Sequence, residues 1–355
     1  MKRMKRFELS TLSLARRCST TELHPHAKSW PVGQALRRPL SAAQRSCTTG
    51  VPSVKSEAAR TLRVDLVGLP PDTAMQNGCG AVVVALYGTA PHELKRRLSA
   101  FGRAGLKVVA VNNNATAACP LDVEGHLSWL ENGNIGGLAG GLNRGVTQAL
   151  ALGCGYVTLL DQDSELSAAG VLTLQEAVAT QPDRIVGPSV WDQERDQWHT
   201  RQRRPRLLIT SGTTFQAAAW QQVGGYHEWM EIDFIDHEWC SRARRDGFEL
   251  EVLADVRLNQ QFGQRHPSPI AHSLGLQLYS PYRRAVALRN LRWLLRQAYV
   301  PLDIRLKEAM KMLLKPWCWL ALEPQRRRTA RSLLAGLRAP LEQPFPRALL
   351  KPAQQ

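Results

Sequence analysis

Residues 156–164, Tyr-Val-Thr-Leu-Leu-Asp-Gln-Asp-Ser, are the part of this 355-residue chain that decides its fold. The first five are aromatic, aliphatic or β-branched and predict a short buried strand. Asp161 and Asp163 follow that strand directly, one residue apart. Past a strand end both carboxylates can turn toward one point, as the binding of a hard divalent cation requires. An ordinary acidic turn has the same composition, so the surrounding elements must decide between the two interpretations.

The residues before this stretch alternate between strand and helix patterns. The predicted elements are strand, helix, strand, strand and helix: Gly80–Tyr87, Pro91–Ala104, Leu106–Val111, Leu127–Leu130 and Gly136–Leu152. This alternation predicts an α/β fold with a mostly parallel sheet flanked by helices, whose ligands lie at the carboxyl ends of the strands. Asn112–Asn114 and Asp161–Asp163 both fall at such ends, which favours the cation site over the acidic turn.

The residues after the two aspartates continue the α/β pattern. The predicted elements are strand, strand, helix, helix and strand: Arg184–Val190, Leu207–Ser211, Thr213–Val223, Phe234–Asp246 and Glu249–Asp255. A polar, Arg-rich insertion at 195–206 separates the first two. Beyond Pro281 the chain becomes helical and basic, with leucines at helical spacing.

The formal net charge of +16 is concentrated at the two ends of the chain. Residues 1–60 carry 12 Lys and Arg against 3 acids, and residues 281–355 carry 16 against 4. We expect a disordered basic leader at 1–79, a catalytic domain at 80–280 and a basic amphipathic helical extension at 281–355. The leader resembles a transit peptide in composition, but an upstream start that adds a disordered segment is favoured, because the stretch lacks a clear apolar face. No nucleic-acid-binding signature accompanies the charge, so we expect no nucleic-acid partner.

The cysteines and the hydropathy exclude two further classes of protein. The seven cysteines are scattered, without a Cys-x-x-Cys pair, which argues against a structural zinc site and favours a reducing compartment. No run of about eighteen uncharged apolar residues is present, so the sequence predicts no membrane span.

A second acidic group lies at 232–239, Ile-Asp-Phe-Ile-Asp-His-Glu-Trp. If a helix begins here, Asp236 lies near its N-terminus, where the helix dipole keeps a carboxylate ionised. An ionised carboxylate beside a reacting hydroxyl can act as a general base. Alternatively, Asp236 only caps the helix and Glu238 forms an ion pair with Arg242, four residues on.

A glycine-rich stretch at 131–145 precedes the second predicted helix. Glycines at such a point allow the backbone to approach a phosphate or a nucleoside closely. They also allow tight helix packing, and neither a Gly-x-Gly-x-x-Gly nor a phosphate-loop motif is present. The stretch alone is therefore a weak indication of a ligand.

Taken in order, these motifs resemble the bacterial rhamnosyltransferase branch of the family-2 glycosyltransferases, over about residues 80–300. The matching positions are Val111-Asn112-Asn113, Asn134, Gly136, Ala139, Asn143, Gly145, Leu160–Ser164, Thr210-Ser211-Gly212, Gly225–Glu228, Ile232–Trp239, Arg242 and Arg289-Asn290. The resemblance implies a GT-A, Rossmann-like fold with a basic helical C-terminal extension, and an enzyme that inverts the configuration of the transferred sugar.

The resemblance also implies roles for single residues. Asp161 and Asp163 would hold Mg²⁺ or Mn²⁺, and Asp236 would be the catalytic base. The implied nucleotide-sugar contacts are Asn112, Asn113, Asn134, Gly136, Asn143 and Gln162. The implied acceptor-side residues are Thr210, Ser211, Gly212, Asp233, Glu238 and Trp239. The implied diphosphate contacts are Gln260 and Arg289.

Three positions depart from the family pattern. Asn112 stands where the family has Asp, residues 260–263 read Gln-Gln-Phe-Gly in place of His-x-Leu-Gly, and Ala285-Val286 replace an aromatic pair. An alternative function is therefore a catalytically silent relative that acts as a binding or scaffold subunit.

The resemblance implies particular partners. We expect a dTDP- or UDP-linked donor, with rhamnose from dTDP-rhamnose favoured, and a lipid-linked or polysaccharide acceptor in cell-surface glycan synthesis. Tyr282–Trp319 alternates apolar with basic residues, as an interfacial helix does. It would hold the enzyme on the inner face of the bacterial membrane, at an anionic leaflet; alternatively, its apolar stripe packs on the catalytic domain.

Overall fold

The computed structural model describes residues 78–88, 93–114, 127–262, 268, 279–323 and 325–350, so most of the predicted leader at 1–79 lies outside the described residues. The strands are β1 Gly80–Leu86, β2 Lys107–Asn112, β3 Leu127–Glu131, β4 Tyr156–Asp161, β5 Arg184–Asp192, β6 Gln197–Thr200, β7 Thr214–Gln216 and β8 Glu249–Gln260. The helices are α1 Leu94–Arg103, α2 Gly137–Ala151, α3 Ala168–Thr180, α4 Ala217–Val223, α5 Ile235–Arg245, α6 Pro281–Leu294, α7 Leu302–Leu322 and α8 Arg326–Arg338.

The strands form one sheet in the order β3-β2-β1-β4-β7-β5-β6, and β8 pairs with β5. The pairs β1–β2, β1–β4, β2–β3 and β5–β8 are parallel, whereas the short β7 is antiparallel to both of its neighbours. The predicted α/β class with a mostly parallel sheet is confirmed.

The strand register brings the polar strand ends to one edge of the sheet. Leu86 at the end of β1 is opposite Asn112 of β2, and Asn112 is opposite Glu131 of β3. On the other side of β1, Ala85 is opposite Asp161 of β4. Asn112, Glu131 and Asp161 therefore share the carboxyl edge, where parallel α/β sheets bind their ligands.

Both faces of the sheet are covered, as a parallel sheet requires. Odd-numbered residues of β1, such as Val83, pack with α2, α4 and α5 on one face. Even-numbered residues, such as Val84, pack with α1 and α3 on the other. Because both faces are buried, the strand is continuously apolar, which is why the sequence pattern identified it.

After the aspartates, the strand predicted at 207–211 is wrong, the helix predicted at Thr213–Val223 is confirmed only over α4, Ala217–Val223, and one helix was missed. Residues 207–211 form no strand: the N–H of Leu208 donates to Cys240 Sγ (3.5 Å), and Gly212, with φ of +84°, then turns the chain. The segment predicted as a helix from Thr213 begins instead with the strand β7, which pairs with β4. Helix α3, which begins at the N-cap Ser167, was not predicted.

The C-terminal helices differ in their burial. Almost all of α6 is buried, and the side-chain amide of Asn290 donates to the carbonyls of Met230, Ile232 and Asp233. The interfacial interpretation required a surface helix at Tyr282–Leu294. That part of it is therefore wrong. Helix α7 is largely exposed. Among the described residues, no helix combines the length and apolar character needed to cross a membrane.

Candidate active site

The two aspartates of the Asp-Gln-Asp-Ser turn lie at the end of β4. Asp161 is the last residue of the strand and is partly buried, whereas Asp163 is exposed in the turn that follows. The backbone N–H of Asp161 donates to Ser211 Oγ (3.1 Å), and the N–H of Ser164 donates to the Asp161 carbonyl (3.2 Å). The turn is thus closed on itself and tied to the neighbouring 210–212 segment.

A buried polar network supports the Asp161 carboxylate from behind. The side-chain amide of Gln260, at the end of β8, donates to Asp161 Oδ2 (3.3 Å). Ser164 Oγ donates to Gln260 Oε1 and lies 2.5 Å from Ser211 Oγ. Gln260, predicted to contact the diphosphate, therefore lies beside the predicted metal ligand. Ser211, predicted on the acceptor side, braces the turn.

Two further contacts fix the turn to the first β-α unit. Arg97 of α1 donates to the carbonyls of Ser164 and Gln162, the latter at 2.7 Å. The side-chain amide of Gln162 forms a pair of hydrogen bonds with the backbone of Tyr87, at 2.8 and 3.0 Å. Gln162, predicted as a nucleotide-sugar contact, thus joins β4 to the end of β1. Arg97 was missed, because nothing in the helix pattern distinguishes it from the neighbouring Arg96.

Asp236 lies in the first turn of α5, where both of its side-chain contacts are to His237. Asp236 Oδ1 accepts the backbone N–H of His237 and contacts its ring Nδ1, both at 2.8 Å. Burial alone would raise the pKa of Asp236, but the charge and hydrogen bonds of His237 lower it overall. Asp236 is therefore ionised at neutral pH, as a base must be before it accepts a proton.

The carboxylates of β4 and α5 lie close enough to influence one another. Burial is the largest cause that raises the pKa of Asp161 to about 7, followed by the charge of Asp163 and then by that of Asp236. The hydrogen bond from Gln260 and the charge of Arg283 act in the opposite direction. The charges of Asp163 and Asp236 thus both act on Asp161, which supports treating the three carboxylates as one candidate site.

Residues of α6 and α7 border this site on the side of α5. Arg283, in the first turn of α6, forms an ion pair with Asp233 (2.9 Å). Glu308 of α7 lies 3.9 Å from His237 Nε2. Asp233, predicted on the acceptor side, is thus held against α6 beside Asp236. Neither Arg283 nor His237 was predicted as a site residue.

The donor set of the turn fits a cation that also binds phosphate oxygens. Among the described residues, no group of three or more His, Cys, Asp or Glu side chains forms an all-protein metal site. Asp161 and Asp163 offer two carboxylates, and their repulsion, which contributes to the raised pKa of Asp161, would be relieved by a divalent charge between them. Mg²⁺ is typically held by one or two carboxylates together with substrate phosphates.

The two asparagines that end β2 are buried and bonded within the protein. The Asn112 amide donates to Glu131 Oε2 (2.7 Å), and its Oδ1 accepts the N–H of Asn114 (3.0 Å). Asn113 Oδ1 accepts from Asn132 (2.5 Å). Glu131, an exposed residue at the same edge, places its carboxylate against Asn112. It was missed because its strand gave only a weak pattern.

The glycine-rich stretch packs tightly against neighbouring segments rather than forming an open cradle. A Cβ on Gly136, whose φ is +68°, would lie 2.9 Å from the Glu228 side chain, and one on Gly137 would lie 2.7 Å from the Glu231 carbonyl oxygen. Asn143 bonds the backbone N–H and carbonyl of Tyr226. Of the two interpretations of this stretch, tight helix packing, rather than close approach to a phosphate or a nucleoside, describes the observed contacts. Asn134 also has a left-handed backbone, with φ of +60°.

Glu238 and Trp239, predicted on the acceptor side, are buried in the core. Glu238 forms two hydrogen bonds with Arg242 (2.8 and 2.7 Å) and accepts the Tyr299 hydroxyl (2.9 Å). Burial raises its pKa, but the hydrogen bonds from His227 and Arg242 outweigh burial and lower it to about 2. Trp239 is 1% exposed and donates to the Gly224 carbonyl. Both positions therefore maintain the fold, and the ion-pair interpretation of Glu238 describes its contacts.

Arg289 is fully buried, away from open space. Its guanidinium donates to the carbonyls of Gln343 (2.9 Å) and Trp229 (2.6 Å) and to the side chain of Asn290 (3.1 Å). These contacts leave it no access to a diphosphate, so the predicted diphosphate role is corrected to a structural one.

The remaining two acceptor-side predictions lie at the 210–212 turn. Thr210 is 9% exposed and its side chain bonds Tyr226. Gly212 has φ of +84°, and a Cβ there would lie 2.5 Å from Pro188. Both residues shape the turn that positions Ser211 against Asp161.

The mostly parallel sheet flanked by helices, with Asp161 and Asp163 at its carboxyl edge, is a GT-A fold. A solved structure with this fold is similar: TarS from S. aureus, with a TM-score of 0.50 and 12% identity over 73% of this chain. This chain covers 48% of that TarS chain, so it spans about half of its length. TarS 1–349 in complex with UDP-GlcNAc gives a TM-score of 0.48 at 12% identity, covering 73% of this chain and 79% of that one.

The relationship to a particular family rests on sequence. The chain is 26% identical over 251 residues to dTDP-rhamnosyl transferase RfbF of Shigella flexneri, which covers 64% of this chain and 83% of the relative. No protein-family model matches the chain. The protein is a glycosyltransferase with a GT-A fold, and its similarity to this relative supports the predicted resemblance to the family-2 glycosyltransferases.

Proposed function

We propose that the protein is an inverting rhamnosyltransferase that transfers rhamnose from dTDP-rhamnose to a hydroxyl of a lipid-linked or polysaccharide acceptor in cell-surface glycan synthesis. The observation that carries this proposal is the position of Asp161 and Asp163 at the carboxyl edge of the sheet, where Gln260 and Ser211 hold Asp161 in place. The name of the relative, a dTDP-rhamnosyl transferase, supports the choice of donor.

Asp161 and Asp163 would hold Mg²⁺ or Mn²⁺ at the diphosphate of the donor. The cation would supply charge neutralisation for the leaving nucleoside diphosphate. The protein prepares this position through Gln260 and Ser211, which orient Asp161, and through Arg97, which holds the backbone of the turn. The nucleoside would lie along the same edge of the sheet, toward Asn112 and Glu131.

Asp236 would remove the proton from the acceptor hydroxyl while the hydroxyl oxygen forms a bond to the anomeric carbon of the sugar. The bond between that carbon and the diphosphate oxygen breaks, and the nucleoside diphosphate leaves. His237 keeps the Asp236 carboxylate ionised and fixes its orientation. Attack on the face opposite the leaving group inverts the configuration at the anomeric carbon.

The alternative of a silent scaffold subunit rested on the departures at 112 and 260. Gln260 donates to Asp161, so it retains a role at the turn, and Glu131 places a carboxylate against Asn112. The carboxylates needed for the reaction are all present. Enzymatic activity is therefore the better-supported function.

We also propose peripheral contact with an anionic membrane, through α7 rather than α6. The outward face of α7 bears six apolar side chains, each between 55% and 73% exposed: Leu302, Leu306, Met310, Leu313, Leu314 and Trp317. At 100° per residue they span about one third of the helix circumference. Lys307 borders this stripe, and the opposite side of α7 contacts His237 through Glu308. Such a helix lies in a bilayer interface next to anionic lipids.

The enzymatic proposal is tested by transfer and hydrolysis assays with dTDP-rhamnose and Mn²⁺, alongside calorimetric measurement of donor binding. Asp163→Asn should weaken Mn²⁺-dependent donor binding. Asp236→Asn should bind the donor normally, while its turnover falls by about 10²- to 10⁴-fold. The matched control is Asp183→Asn, an exposed position at the start of β5. Full turnover by Asp236→Asn, or an inactive parent protein with intact donor binding, would contradict the proposal.

The membrane proposal is tested by co-sedimentation with vesicles. The parent protein should bind vesicles containing phosphatidylglycerol more tightly than vesicles of phosphatidylcholine alone. Leu313→Ser/Trp317→Ser should reduce that binding, whereas Leu152→Ser/Leu172→Ser, at exposed leucines outside α7, should not. Equal binding by both double variants would contradict a specific role for α7.

A further inference from the structure

A basic pocket lies where the N-terminal ends of α6 and α8 meet. It has a volume of about 950 Å³ and is lined by Tyr282 and by four arginines of the first turns of α8: Arg326, Arg327, Arg328 and Arg331. Ligand pockets in proteins commonly have volumes of about 300 to 1,000 Å³. The residues that line this pocket include no aspartate or glutamate. The pocket therefore has the size of a ligand site and one sign of charge.

The arginines of this basic pocket lack anionic partners in the described part of the chain. Arg326 donates to the Ala321 carbonyl (3.2 Å) and Arg328 to the Gln325 side chain (3.2 Å), and both acceptors are neutral. None of the ion pairs between described residues involves any of the four. All four side chains belong to exposed residues. Their charges are thus accessible to a ligand.

The position of these arginines opposes the preference of the helix itself. The N-terminus of a helix carries a partial positive charge and is stabilised by acids, yet the first turn of α8 contains none. Three arginines in that turn, Arg326, Arg327 and Arg328, are repelled by the helix dipole, and with Arg331 in the second turn they repel one another. A bound anion would remove both sources of repulsion, and arginine pairs well with phosphate because its planar fork donates two parallel hydrogen bonds.

One residue that lines the basic pocket, Tyr282, lies close to the predicted acceptor-side residue Asp233. The hydroxyl of Tyr282 donates to Glu231, and the neighbouring Arg283 forms an ion pair with Asp233. The proposed donor position, by contrast, lies at the ends of β2 and β4. A phosphate-bearing group in the pocket would therefore belong to the acceptor rather than to the donor.

We propose that the basic pocket binds the diphosphate group of a diphosphate-bearing acceptor. The identity of the ligand as an acceptor rests on the proposed function, whereas the binding of phosphate groups does not. The arginines hold the diphosphate, and the acceptor extends from the pocket toward Asp233 and Asp236.

Binding of inorganic pyrophosphate to the full-length protein, measured by calorimetry without divalent cation, tests the pocket. Omitting the cation keeps pyrophosphate from binding through Asp161 and Asp163. Arg327→Gln/Arg331→Gln should weaken binding by about tenfold or more. The control Arg296→Gln/Arg338→Gln removes the same charge at exposed residues outside the pocket and should change the affinity less than about twofold. No binding by the parent, or equal losses in both double variants, would overturn the proposal.

Two further measurements distinguish a lipid headgroup from a diphosphate-bearing acceptor as the ligand of the pocket, and distinguish failure of the pocket proposal from failure of the proposed function. If the pocket variant loses binding to phosphatidylglycerol vesicles but keeps its pyrophosphate affinity, the pocket is a lipid-headgroup site and the acceptor assignment is overturned. Donor hydrolysis should be unchanged in the pocket variant, whereas transfer to a diphosphate-bearing acceptor should fall. A parent without donor turnover would refute the proposed function, and the pyrophosphate titration would still decide whether the pocket binds phosphate.

Discussion

Replacing Glu238 by Gln tests whether this buried carboxylate stabilises the fold. The ordinary pKa of Glu is 4.5, and hydrogen bonds from His227 and Arg242 outweigh burial and lower that of Glu238 to about 2. This difference corresponds to about 3 kcal/mol of stability at pH 7. Removal of one partner from a buried ion pair costs a similar amount, about 3 to 5 kcal/mol. We therefore expect Glu238→Gln to lower the free energy of unfolding by about 3 kcal/mol at pH 7.

The pH dependence of this loss has a definite sign. A carboxyl group with a lowered pKa in the folded state contributes stability that is complete above its unfolded pKa and lost as pH falls through the folded pKa. The difference between the parent and Glu238→Gln should therefore be constant above about pH 5 and shrink toward pH 2.

The assay is urea-induced unfolding followed by tryptophan fluorescence at several pH values. The matched control is Glu249→Gln, whose side chain is 49% exposed, and it should lose less than about 1 kcal/mol. Adding Arg242→Gln to Glu238→Gln should cost less than the sum of the single losses, because no charge is then left unpaired. A loss at pH 7 no larger than that of Glu249→Gln, or one that does not change with pH, would refute the reasoning.

Three further predictions concern the turn, the glycine-rich stretch and the residue beside the base. Arg97→Gln should weaken Mn²⁺-dependent donor binding by about tenfold, because two carbonyls of the Asp-Gln-Asp-Ser turn lose a charged hydrogen-bond donor. Calorimetry measures the donor affinity, and an unchanged affinity would contradict this prediction. Gly137→Ala should destabilise the fold by more than about 2 kcal/mol in urea unfolding, since it adds a clash with Glu231 to left-handed strain. The control is Gly153→Ala, where φ is +77° but no described atom lies within 4 Å of the new Cβ, and it should lose only about 1 kcal/mol of stability. Equal losses of stability in the two variants would argue against the clash at Gly137. Burial lowers the pKa of His237, but the carboxylates of Asp236 and Glu308 outweigh burial and raise it overall. The contribution of His237 to stability is therefore complete below its unfolded pKa and is lost as pH rises through its folded pKa. The stability lost in His237→Gln should accordingly be larger at pH 6 than at pH 9, and the opposite trend would contradict this sign.

The elements that the sequence predicted well are those whose residues face a uniform environment. Strands β1 and β4 are buried on both faces, so their apolar runs identify them without reference to other elements. Strand β7 could not be found in this way, because its three residues owe their conformation to pairing with β4 and β5. The missed α3 did carry a signal, since Ser167 at the N-cap precedes buried residues at Val171, Leu174 and Val178.

The candidate site was predictable where motif and strand end coincide, as at Asp161 and Asp163. Asp236 followed from its place in the first turn of a helix. Arg97 and Gln260 support the same site from distant parts of the chain, and only the folded structure brings them to it. Arg289 lies at a motif position but is not part of the candidate site. It is fully buried, and its guanidinium donates to backbone carbonyls.

The central claim is that Asp161 and Asp163 hold a cation at the donor diphosphate while Asp236 faces it from α5. Anomalous diffraction from a crystal with Mn²⁺ and dTDP measures this most directly. We expect a Mn²⁺ peak that Asp163 and the diphosphate share, with the Asp236 carboxylate open to the space beside the terminal phosphate. A peak elsewhere, or an Asp236 side chain separated from that phosphate by packed protein, would contradict it.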